Sequence, residues 1–132
     1  MSDLREKFSS FGLLWLRTCM GCGIAYHGYG KVFGGHMEQM VAGVAKMGFP
    51  QPEIFTWAAS LSEFAGGILV ATGLLTRPAA FFIFCTMSVA AFVAHASDPF
   101  ATKELALAYW AMSATLIFTG AGAFSVDSKF KK

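Results

Sequence analysis

Three basic side chains recur at helical spacing inside one long apolar stretch. Arg17, His27 and Lys31 lie between Phe11 and Phe33. At about 100° per residue they fall within about 80° of one another on a helix, and Leu13, Met20 and Ile24 fill the same stripe. Ionisable groups cost several kcal/mol in hydrocarbon, so this face is expected to look into protein or a wet cavity. A second apolar stretch holds a single charge, Glu63, and a third ends at His95. A buried carboxylate needs a partner, and Arg17, His27 or Lys31 can supply it.

Two kinds of chemistry suit such a set. In the first, Glu63 and one cation only lock two helices together. In the second, Arg17, His27, Lys31, Glu63 and His95 bind or protonate something small: a quinone head group, an anion or a metal. Imidazole and carboxylate suit zinc, iron or copper, so His27, Glu63 and His95 are the candidate metal ligands, although no local spacing demands a metal. Cys19-Met20-Gly21-Cys22 is a C-x-x-C, and Cys85 falls at a comparable depth. Thiols can form a redox centre or a soft-metal site, but deep in an apolar span they behave as small hydrophobes. The pairs Gly21-x-Gly23 and Gly28-x-Gly30 follow no strand, so they read as helix-packing positions rather than a nucleotide loop.

The elements that must position these residues follow from composition. The 132 residues are 55% hydrophobic and only 14% charged, with fourteen Phe and fourteen Gly; mean hydropathy is +0.55. Soluble domains are nearer a quarter charged, and glycine is commoner in transmembrane helices. The net charge of +2 is small and its carriers are scattered, which gives nucleic-acid binding no support. The first apolar run is too long for a cleavable signal and lacks a small-residue cleavage site, so it reads as an anchor. Three cysteines in apolar segments argue against a secreted disulfide framework.

The expected architecture is all-α: one domain over residues 1–132, an integral membrane four-helix bundle with spans at about 11–33, 53–75, 79–95 and 104–124. Between the first two spans, Met37, Met40, Val41, Val44 and Met47 follow helical spacing, with Glu38, Gln39 and Lys46 on other faces. That pattern predicts a short amphipathic helix in the interface. Ala58, Ser62 and Gly66 form a small-residue row suited to close helix approach. Ser125 to Lys132 reads as a polar tail.

Four spans place both termini on one side, with Arg5, Lys7, Arg77, Lys129, Lys131 and Lys132. The other side has Lys31, Lys46 and Lys103. The positive-inside rule makes the first side cytoplasmic. His27, Lys31, Glu63 and His95 then converge in the outer half of the bundle, and Arg17 enters from the inner half within reach of Glu63. Trp57, Tyr109 and Trp110 are expected at the outer interface and Trp15 at the inner one.

Three blocks resemble the DoxX family of small four-helix bacterial membrane proteins. They are Leu14-x-Leu16-Arg17 with Gly21, leading into His27-Gly28-x-x-Lys31-x-Phe33-Gly34; Gly48-Phe49-Pro50; and Glu63-x-x-Gly66-Gly67 with Gly73-Leu74-Leu75-Thr76-Arg77. The likeness runs to about residue 95, and Gly120 to Asp127 resembles the end of the fourth helix more loosely. It implies an inner-membrane location and a role beside respiratory or sulfur redox chemistry. The name-giving members resemble subunits of a terminal quinol oxidase complex with thiosulfate:quinone oxidoreductase activity, while many members are assigned none. The matched polar positions are Arg17, His27, Lys31, Glu63 and Arg77; the C-x-x-C lies outside the pattern.

Three readings follow: a redox-associated membrane subunit with quinone as candidate cofactor and a respiratory or other redox subunit as partner; a non-catalytic accessory or assembly protein; and a small-molecule or proton transporter. Beyond the lipid bilayer, self-association is left open, and so is whether the chain is an enzyme.

Overall fold

The computed structural model describes residues 2–130, and these are helical with short connections. In chain order the elements are α1 (Ser2–Phe33), α2 (Met37–Lys46), α3 (Pro52–Thr72), α4 (Thr76–Val89), α5 (Phe100–Thr119) and α6 (Val126–Phe130). A π-helical turn, Ala90–Ala94, continues α4. Among the described residues there is no strand. Lys131 and Lys132 of the basic tail lie outside them.

α1 starts well before Phe11. Nothing in the polar lead-in breaks a helix, and Asp3 and Lys7 form an i,i+4 ion pair at 3.3 Å. α2 is the expected amphipathic helix. Its half-buried positions include Met37, Met40, Val41 and Val44, while Glu38, Gln39 and Lys46 are exposed. α3 ends at Gly73, which takes a left-handed φ of 76°. The Gly73 and Leu74 amides donate back to Val70 and Leu69 carbonyls at 3.1 and 2.9 Å, a glycine-dependent helix stop. α4 then runs back alongside α3.

The tightest packing is between α1 and α3, and glycine allows it. A Cβ on Gly21 would sit 2.6 Å from the Gly67 carbonyl oxygen and the Ala71 nitrogen; one on Gly67 would sit 2.6 Å from the Ala25 nitrogen; one on Gly28 would overlap the Phe64 backbone. Close approach of this kind is what small residues permit between membrane helices. The row Ala58, Ser62 and Gly66 does not make this contact. Gly66 lies under Ile83 of α4, and Ala58 and Ser62 line a groove between α3 and α4.

The shared core is thin: Met20 and Ile24 of α1, Val70 of α3, Ile83 and Met87 of α4 and Leu116 of α5. Large apolar side chains instead cover the outside, among them Trp15, Tyr26, Phe82, Phe92 and Phe118. A water-soluble chain avoids so continuous an apolar surface. Hydroxyls also bond their own helices, as a membrane interior would require: Thr18 donates to the Leu14 carbonyl, Thr56 to Pro52 and Ser60 to Thr56. Two helical runs are long and apolar enough to cross a bilayer, Pro52–Thr72 and Thr76–Ala94. α1 and α5 fall short of that measure, α1 because Arg17, His27 and Lys31 lie within it.

Candidate functional site

Glu63 of α3 is buried, and Lys31 of α1 reaches it, Nζ to Oε2 at 2.6 Å. The angles of this contact fall outside hydrogen-bond geometry, so the pair meets as charges. The lysine side chain is 40% exposed against 3% for the glutamate, so its stem spans from the surface to an interior acid. Beside the pair lies a cavity of about 180 Å³. Four of the five polar residues singled out from sequence, His27, Lys31, Glu63 and His95, line it, with Tyr109 and Thr102 of α5. The remaining wall is apolar, from Ile24, Met87 and Leu105.

Each member is placed by its helix. The stripe of α1 is fully buried at Arg17, Met20 and Ile24, then opens at His27 and Lys31 where the cavity begins. The His27 ring meets Tyr109 edge-on, centroids 6.2 Å apart. The Tyr109 hydroxyl comes to rest on Gly23, where any Cβ would block it. The π turn brings His95 round to the mouth, and His95 Nδ1 lies 2.8 Å from Asp98 Oδ2. π turns insert one extra residue per turn and recur at functional sites.

Tyr109 is the member that sequence reasoning assigned elsewhere, to the interface. Its signal was the hydroxyl itself, which needs a polar partner or water once the ring is buried among apolar residues.

Arg17 does not join this cavity. It is fully buried and turns toward the end of the bundle that carries both chain ends. Nη1 donates to the Val70 and Ala71 carbonyls, each at 3.3 Å, and Nη2 donates to the Phe124 carbonyl at 2.5 Å. The expected reach to Glu63 is thereby corrected: the Val70 and Ala71 carbonyls at the C-terminal end of α3, whose i+4 amides Leu74 and Leu75 bond to Leu69 and Asp127 instead, draw the guanidinium the other way.

The polar tail makes the rest of this second cluster. Gly120 and Gly122 take positive φ, α5 stops, and the chain folds back to form α6. Asp127 accepts hydrogen bonds from the Leu75 and Thr76 amides at 2.7 and 3.0 Å, and its own amide donates to the Gly73 carbonyl at 2.8 Å. A carboxylate from the far end of the chain thus caps α4. Burial pushes the Asp127 carboxyl up, but the Thr76 and Leu75 amides and the Arg17 charge outweigh it and hold its pKa below the usual carboxylate range. Arg77 is exposed and donates to the Phe118 carbonyl at 3.3 Å.

The three cysteines are free and exposed, and Cys19 and Cys22 line neither the cavity nor the α3–α4 groove, whereas Cys85 lines the groove. Among the described residues, no three of His, Cys, Asp and Glu come close enough to share a metal ion. His27, Glu63 and His95 face one cavity without forming such a trio.

Helices with apolar outer faces, two of them both long and apolar enough to cross a bilayer, and a charged pair held inside fit a small helical protein inserted in a membrane. The chain belongs to the DoxX family, whose model matches residues 12–96. That range takes in Arg17, His27, Lys31, Glu63 and His95 and stops before Tyr109 and Asp127. An uncharacterized protein of Haemophilus influenzae is 34% identical over 134 residues, covering 96% of this chain and 96% of its own length. No solved structure matches.

Proposed function

We propose that the chain is a single four-span inner-membrane domain with both termini cytoplasmic, which binds the head group of a quinone-type redox carrier beside Lys31 and Glu63 and serves a respiratory or sulfur-oxidising assembly. One observation carries this reading. A single small cavity, otherwise walled by Ile24, Met87 and Leu105, gathers an ammonium, a buried carboxylate, two imidazoles and a phenol. One interhelical lock would need only the first two. Few polar groups converging in an apolar pocket is the usual form of a small-molecule site.

The residues fit such a head group. At about 180 Å³ the cavity lies below the range for drug-sized ligands but admits a compact ring. A quinone supplies reversible two-electron, two-proton chemistry when bound. Lys31 can donate to a carbonyl oxygen while remaining paired with Glu63. His27 and Tyr109, facing each other across the α1–α5 wall, offer donors on a second side. Glu63 can hold a proton in the interior, and His95 with Asp98 stands at the mouth, where protons exchange with water.

The competing reading is a rivet. Lys31 and Glu63 join α1 to α3, the two helices already in closest contact, so the pair also suits an accessory protein with no ligand.

Glu63→Gln keeps the shape and removes the charge. In mild detergent, a short-chain quinone at about 100 times its Kd is expected to stabilise the wild type by about 2.7 kcal/mol. Glu63→Gln should fold and lose that response. No response in the wild type, with no quinone in lipid extracts, would refute ligand binding. An unfolded Glu63→Gln would favour the rivet.

A further inference from the structure

Beyond the polar cavity, α3 and α4 leave a second and larger space. It measures about 430 Å³ and runs between Phe55, Ala58, Ala59 and Ser62 on α3 and Phe81, Phe82, Cys85 and Val89 on α4. Val44 and Met47, from the apolar face of α2 and its end, roof it, and Phe49 packs on Phe55 at 5.0 Å between centroids.

Its polar content is nearly nil. The Ser62 hydroxyl donates to the Ala58 carbonyl at 2.6 Å and the Thr86 hydroxyl to the Phe82 carbonyl at 2.9 Å. Both donors are therefore engaged within their own helices. The one charged residue on the groove wall is Lys31. Lys31 and Ala90 also line the polar cavity, so the two spaces abut at these two residues, beside the Lys31–Glu63 pair. A ligand extending from one to the other meets polar groups at one end and only hydrocarbon at the other.

The geometry points to an amphiphile: the groove holds the hydrocarbon tail of the same molecule whose polar head sits beside Lys31. This inference rests on the head-group reading above and names the substrate class, a lipid-soluble carrier with an aliphatic or isoprenoid tail rather than a water-soluble ring.

The test compares one quinone head bearing no side chain with the same head bearing a decyl chain, on detergent-purified full-length protein. The two variants are Ala59→Leu, which fills the groove near its middle, and Ala58→Leu at a more exposed position, which serves if the first does not fold. The wild type is expected to bind the decyl compound about tenfold or more tightly than the bare head, since two buried methylenes are enough for that. In the groove variants the decyl compound should lose this advantage while bare-head affinity stays within about twofold. Comparing variants at one compound cancels partition into micelles.

An advantage that is equal in wild type and variants, or absent in the wild type, overturns the tail site and leaves the head-group reading standing. It would mean that ordinary lipid chains fill the groove. Failure of both compounds to bind overturns both.

Discussion

Asp127 is expected to hold the first α-helical turn of α4 in place from a distance of fifty residues in sequence. Asp127→Ala removes two charge-assisted hydrogen bonds, to the Leu75 and Thr76 amides at 2.7 and 3.0 Å. Loss of a helix cap costs about 0.5–2 kcal/mol, and hydrogen bonds to charged groups contribute about 1.5–3 kcal/mol each, less where water can replace them. The Leu75 bond is solvent-exposed and the Thr76 bond partly buried, which places the sum near 2 kcal/mol. Leu75 is also left with its positive φ of 50° and no compensating bond. For a chain of this length that is a fall in Tm of about 5–10 °C in mild detergent at neutral pH. Asp127→Asn, which keeps one acceptor oxygen, should lose about half as much.

The pH dependence supplies a second check with a definite sign. The folded carboxyl titrates below its unfolded value of about 3.9. Its stabilisation is therefore complete above the unfolded pKa and disappears as pH falls through the folded one. The Tm difference between wild type and Asp127→Ala should be constant from about pH 8 to 5 and shrink below about pH 4. A variant within about 2 °C of wild type at pH 7, or a difference unchanged at about pH 3, would refute the capping role.

Two further perturbations follow from packing. Arg17→Met leaves the Ala71 and Phe124 carbonyls without this donor, while Val70 keeps the Gly73 amide, and is expected to cost about 2–5 kcal/mol, seen as loss of monodisperse protein. Arg17→Lys should recover only part, because a point ammonium cannot serve three carbonyls as a fork does. Gly28→Ala forces a Cβ into the Phe64 backbone and should lower Tm by about 10 °C or more, whereas Gly30→Ala, with open space around it, should leave Tm unchanged or slightly raised. Equal tolerance at both positions, measured by thermal unfolding, would show that α1 and α3 are not in glycine contact.

Much of the helical layout was legible in residue spacing. The stripe of Met37, Met40, Val41 and Val44 marked α2. The basic stripe of α1 could be assigned to the interior because no lipid-facing helix tolerates it, and Glu63, the acid deep within the second apolar stretch, had to meet a cation. Which cation was not legible. Arg17 and Lys31 lie on one face, and both side chains are long enough to approach Glu63. Only the positions of the free carbonyls at the end of α3 decided that Arg17 turns away, leaving Lys31 to make the pair.

Local pattern was equally silent on Tyr109 and Asp127. A phenol in an apolar helix has no periodic signature, and its entry into the cavity depends on a glycine, Gly23, on a different helix. Asp127 sits in a segment whose composition says only that it is polar; its role arises when Gly120 and Gly122 turn the chain back on itself. The amino-acid sequence by itself determined which faces are apolar and that its buried charges must be paired, because those costs act residue by residue. Which charge meets which, and where a cavity remains between them, depended on how closely the backbones could approach, and that is a property of the packed helices together.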